Sequence, residues 1–189
     1  MARIDDLLAN YKRRAAMPLR AGLPMSQRVW FLVYPPDEER RLMNRAAEFE
    51  MATKEAGHRW KSIDLTGTFA QWIDSFPDEG ERLAILADPE ILEEYARSGF
   101  RDHIRDKVSA VLDTIPNEER FNTVLTLTGL MELYDLLHVS EVIDALDHDF
   151  SGILLAFFPG EREHNTYPFL GARTGWDYLA IPILADPNT

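Results

Sequence analysis

A chain of 189 residues with no cysteine and a formal net charge of −12 is long enough to bury a full core unaided, and it excludes disulfide, thiolate-zinc and thiol-nucleophile chemistry. The acid excess argues against non-specific nucleic-acid binding, which draws its affinity from Lys and Arg displacing counterions around phosphates. It leaves open a merely soluble surface or an acidic face for a basic protein partner. No apolar stretch approaches the ~20 residues of a membrane span, and the opening MARIDDLLANYKRRAA lacks the apolar region of a signal peptide, so a cytoplasmic protein is expected.

Residues 2–20 pattern as an amphipathic helix, with Ile4, Leu7, Leu8, Tyr11 and Ala15 on one stripe and Lys12, Arg13 and Arg14 opposite. Its stripe is narrow, which favours packing on its own domain over lying on a membrane. Arg28–Tyr34 (RVWFLVY) is a strong strand signal that Pro35-Pro36 ends at once. Asp37 then stands where it can cap a helix with an acidic first turn, running to about Ala56 with Gly57 as its stop. His58–Leu65 reads as a weaker, more exposed strand, followed by a short helix over Thr68–Phe76 and helical pieces from Glu81–Ala87 and from Asp88 to about Ile115.

Val124–Thr128 and Ile153–Phe158 are continuous apolar runs, the mark of central parallel strands covered by helices on both faces. Between them Leu130, Leu133, Leu137, Ile143 and Leu146 keep helical spacing, with a bend or two short helices joined near Val139-Ser140. A last strand, Trp176–Leu184, contains Pro182 and belongs at a sheet edge. The expected architecture is a single α/β domain over residues 1–189, a mostly parallel five-stranded sheet with helices on both faces. Its β-α order is P-loop-like but lacks a phosphate-binding loop, because the connection after the first strand reads YPPDEE. Two prolines without N–H groups and three carboxylates would repel phosphate.

Ligands of open α/β sheets bind at the carboxyl ends of the strands. The candidate interaction or ligand edge is Tyr34, Pro35, Asp64, Thr128, Gly129, His138, Pro159, Gly160 and Arg162, with Arg162, His164 and Arg173 as cations that could receive an anion nearby. Asp64, Asp135, Asp147, His148 and Asp149 are suitable metal or acid-base donors, yet their spacing matches no zinc motif and a polar loop accounts for the last three. His138 and His103 lie on helical stretches, and nothing supplies a nucleophile for them to activate. Ser140 is two residues from His138 and faces elsewhere on a helix. No catalytic residue, metal ligand or cofactor site emerges. The residues leave two hypotheses, an interaction subunit and a degenerate nucleotide- or metal-binding domain with switch or hydrolase activity at the strand edge.

RVWFLVYPPDEERRL, IDLT, VLTLTGLMELYDLLHVSEVIDAL, GILLAFFPGE and GWDYLAIPI, in this order and spacing, resemble the BrxB family of the BREX bacteriophage-exclusion systems. The specific parts are Tyr34-Pro35-Pro36, Thr128-Gly129, the Tyr134 to Ser140 segment and Phe158-Pro159-Gly160; a proline and an arginine often stand in the family where this chain has Asp135 and His138. The resemblance implies a small non-enzymatic component of a multi-protein defence system that also holds PglZ, a large ATPase and a methyltransferase. A PglZ-like protein is the implied contact, and the family offers no catalytic residues to carry over.

Overall fold

The computed structural model describes residues 2–144, 150–160 and 180–185. Five strands, β1 (Val29–Tyr34), β2 (Arg59–Asp64), β3 (Thr123–Thr128), β4 (Ile153–Pro159) and β5 (Ile181–Ile183), form one sheet. All pairings are parallel, in the order β2-β3-β4-β1-β5. The three central strands are the three continuous apolar runs, β1 and β4 being buried along their whole length. The edges fall to the half-polar β2 and to β5, where Pro182 pairs with Phe31 on the inner side and needs no outward donor.

Alternation along the strands feeds two cores. On one face Val29, Phe31 and Val33 of β1 join Leu125, Leu127, Leu154 and Phe158, and Phe31 stacks on Phe158 with centroids 5.0 Å apart. That face is covered by α5 (Thr68–Asp74), α6 (Glu79–Ala87), α7 (Pro89–Tyr95), α8 (Arg101–Leu112) and α10 (Val139–Asp144), with the small α9 (Asn117–Arg120) leading into β3. On the other face Trp30, Leu32, Phe157 and Leu155 meet α1 (Ala2–Ala15) and α4 (Ala46–Glu55). The amphipathic helix at the start therefore packs on its own sheet, burying Ile4, Leu7, Tyr11 and Ala15, with the Tyr11 hydroxyl bonded to that of Thr53 at 2.5 Å. It ends at Ala15, short of the expected boundary at 20, and a short α2 (Met25–Arg28) precedes β1.

Three expected helices are more broken than their spacing indicates. The stretch after β1 is a 3-10 turn over Pro36–Glu38, then α3 (Glu39–Met43) and α4, and Asp37 lies inside the turn without capping either helix. From Asp88 the helix is continuous through α7 and α8 but widens to a π-turn over Ala96–Phe100. Asp88 accepts from the N–H groups of Glu90 and Ile91, with Pro89 at the first helical position. The helix expected after β3 is a 3-10 turn, Leu130–Leu133, a break at Asp135 with φ +62°, and α10 from Val139. Its break lies ahead of the Val139-Ser140 position expected from sequence. The remainder of the Trp176–Leu184 strand lies largely outside the described residues, which resolve Ile181–Ile183 of it.

Candidate functional site

The carboxyl ends of β1 and β4 lie side by side, and the chain leaves β1 toward β2 and leaves β4 in the opposite direction, toward β5. This is the switch point at which open α/β sheets form a crevice. Here described groups at the strand ends are bonded to one another. The Gly160 N–H donates to the Tyr34 carbonyl at 2.9 Å, extending the β1–β4 ladder past Pro159. Tyr34 is buried on the α4 side, and its hydroxyl donates to the Glu39 carboxylate at the start of α3. Pro35 and Pro36 offer no N–H, so the segment in the place of a phosphate loop presents carboxylates instead of donors.

At the ends of β2 and β3 a second set of contacts forms. Asp64 accepts from the Thr66 N–H at 3.0 Å and the Thr128 hydroxyl at 3.4 Å, while the Leu65 N–H donates to the Thr128 carbonyl at 3.0 Å. Gly129, with φ +71°, lets the chain turn directly against this cluster: a Cβ there would sit 2.6 Å from the Thr66 nitrogen and 3.0 Å from Asp64 Oδ1. Below it Lys107 of α8 donates to the buried Thr68 hydroxyl at 3.0 Å, and the Phe69 N–H donates to Glu132 at 3.3 Å.

The two carboxylates differ in their proton affinity. Burial raises Glu39 above the usual carboxylate range; the Tyr34 hydrogen bond opposes this and the charge of Asp64 adds to it. At Asp64 burial also pushes upward, but the Thr66 and Thr128 hydrogen bonds and the Lys107 charge outweigh it and hold the group low. Burial drives the Tyr34 phenol far upward, reinforced by the neighbouring Glu39 charge, so its hydroxyl remains a donor.

The expected site residues thus separate into two pairs of strand ends, Tyr34, Pro35, Pro159 and Gly160 in one and Asp64, Thr128 and Gly129 in the other. His138 stands apart: its side chain is exposed and its backbone N–H donates to Glu141 at the start of α10. A cavity of about 190 Å³ between α8 and α10 is lined by Arg101, Ile104, Arg105, Leu137, Glu141 and Val142, without His138. His103 lies on α8. Arg162, His164, Arg173 and the Asp147-His148-Asp149 run lie outside the described residues. Among the described residues no group of three or more His, Asp or Glu is arranged to hold a metal ion, and no helix is long and apolar enough to cross a membrane.

Glu39, Thr66, Lys107 and Glu132 belong to this edge and carry no signal in sequence spacing. Glu39 reads as one of three acids favoured by a helix start, and only its packing beside Tyr34 separates it from Asp37 and Glu38. Compared with protein-family models, curated proteins and solved structures, the chain matches none.

Proposed function

We propose that this chain is a non-enzymatic interaction subunit of a BREX-like bacterial phage-defence system, working in the cytoplasm, where it binds and positions a PglZ-like protein within a multi-protein complex. The observation that carries the reading is the internal bonding of polar groups at the strand ends. At the place where an α/β sheet of this order takes its ligand, the ladder from Tyr34 to Gly160, the Tyr34–Glu39 bond and the Asp64–Thr66–Thr128 cluster bond described strand-end groups to one another. A surface of net charge −12 adds a means of choosing a basic protein partner, and the strand-end motifs resembling BrxB supply the system. The test is co-expression of the tagged chain with its neighbouring genes and identification of the eluate by mass. A stoichiometric PglZ-like protein is expected; a protein that elutes alone at micromolar concentration overturns the proposal.

One observation favours a second reading. Glu39 and Asp64 lie within electrostatic reach at the strand edge with proton affinities pushed in opposite directions, the arrangement by which one carboxyl serves as acid and another as base. A nucleotide or divalent cation bound at this edge would raise the melting temperature by mass action. No shift with nucleotides and Mg²⁺ or Mn²⁺ removes this reading.

A further inference from the structure

The α6–α7 pair gathers four of the exposed large apolar side chains of the described residues, Leu83, Leu86, Ile91 and Tyr95, on two successive helices, whereas Met17, Met51 and Phe121 are exposed elsewhere along the chain. On α6, Leu83 and Leu86 are 61% and 49% exposed and share a face at a spacing of three; on α7, Ile91 and Tyr95 are each 37% exposed and share a face at a spacing of four. The two helices are contiguous, joined by Asp88 alone, which ends one and caps the other. α6 is anchored without them, and α7, which has no fully buried residue, packs through Leu92 and Tyr95. Ile85 on the opposite side of α6 is 1% exposed and buried in the core, and Tyr95 is held from behind by Phe76, their rings 6.0 Å apart.

These side chains stand among charges mostly of one sign, with Arg97 beyond α7 paired to Glu93 at 2.6 Å. From Asp78 to Glu94 there are seven carboxylates and one base, Arg82, half of the net charge of −12 carried by the whole protein. Such a face repels nucleic acid and anionic lipid, and it repels a second copy of itself, since like charges brought together cost several kcal/mol. The segment 161–179 of the same chain does not supply the complement, having Arg162 and Arg173 against Glu161, Glu163 and Asp177. We infer that the exposed face of α6–α7 is the docking surface for a protein partner that places apolar side chains on Leu83, Leu86 and Ile91 and surrounds them with Lys and Arg. It rests on the interaction-subunit reading and assigns that function to one surface, on the side of the sheet opposite α1 and α4. The carboxylates set the rate and partner choice, and the apolar centre holds the complex.

The test uses the full chain in the complex obtained by co-expression. Amide hydrogen exchange is compared between the free and the bound chain, and Leu83→Ser with Ile91→Ser and Glu90→Lys with Glu94→Lys are compared with the natural protein. Slowed exchange across residues 79–95 is expected. The apolar pair of substitutions weakens association by about tenfold or more, as truncation of a central contact does. The charge pair weakens it and flattens its salt dependence. Leu83 is 61% exposed and Ile91 37%, so melting temperatures are measured alongside, and Leu83→Ser alone replaces the pair if the pair lowers them. A complex that forms with residues 79–95 unprotected, or variants that bind as the natural chain does, overturns this surface and leaves the subunit reading standing. Self-association through α6–α7 also overturns it, and failure to form any complex removes both.

Discussion

A methyl group at position 129 would meet the Thr66 backbone nitrogen at 2.6 Å, in a residue whose φ of +71° already disfavours any side chain. Left-handed backbone alone costs roughly 1–2 kcal/mol for an L-residue, and the contact with a rigid turn adds to it. Gly129→Ala is therefore expected to lose about 2 kcal/mol or more, read as a lower urea midpoint at unchanged slope. Gly129→Asn separates the two causes. Asparagine tolerates the left-handed region, so a loss as large as that of alanine locates the cost in the contact with Thr66, and near-complete recovery would place it in φ. At the same edge, Glu39 is held above its ordinary range chiefly by burial. Its contribution to stability is fully present below the unfolded value and is lost as pH rises through the folded value. Glu39→Gln keeps an acceptor for the Tyr34 hydroxyl and removes the buried charge. Its melting temperature should equal that of the natural protein in acid and exceed it at neutral pH; a gap independent of pH contradicts the assignment. Asp64 runs the other way. Its depressed value gives stability that is present above the unfolded value and lost as pH falls through the folded one.

At the scale of elements, α1 is part of the core. Leu7 is 1% exposed, and Tyr11 lies between Trp30 and Phe49 with centroids at 6.5 and 5.4 Å. Leu7→Ala should cost about 2–5 kcal/mol of unfolding free energy; a loss within experimental error would mean that α1 is a detachable arm. The strands were legible because their chemistry is local. Continuous apolar runs mark β1, β3 and β4, and polar residues or proline mark β2 and β5 as edges. The segment after β3 was not, because Leu130, Leu133 and Leu137 reach the same core through a 3-10 turn and a break as they would from one helix. Apolar spacing records which residues face inward, and the positive φ of Asp135 that splits the segment leaves no trace in that record. The strand-end site was legible in half for a similar reason. Tyr34, Thr128-Gly129 and Pro159-Gly160 announce themselves as places where an apolar run stops, whereas Glu39, Thr66 and Lys107 arrive there through turns and a distant helix.

For the whole molecule, the strand order dictates the layers. Moving from β1 to β2 crosses the sheet in one direction, and the steps β2 to β3 and β3 to β4 go in the other. If every crossover has the same hand, the first must lie on the face opposite the other two. The helix α4 accordingly shares a core with α1, and α5, α8 and α10 share the other. This arrangement leaves α6 and α7 on the outside of the second layer, carrying half of the net charge on a surface with exposed leucine, isoleucine and tyrosine. The protein is proposed to act by holding another protein. The most direct test is the stoichiometry and salt dependence of the complex proposed with a PglZ-like protein, measured on the purified pair by sedimentation at low and at high ionic strength. A defined complex that loosens as salt rises is the expected result; two proteins that sediment independently at micromolar concentration in low salt would contradict the account.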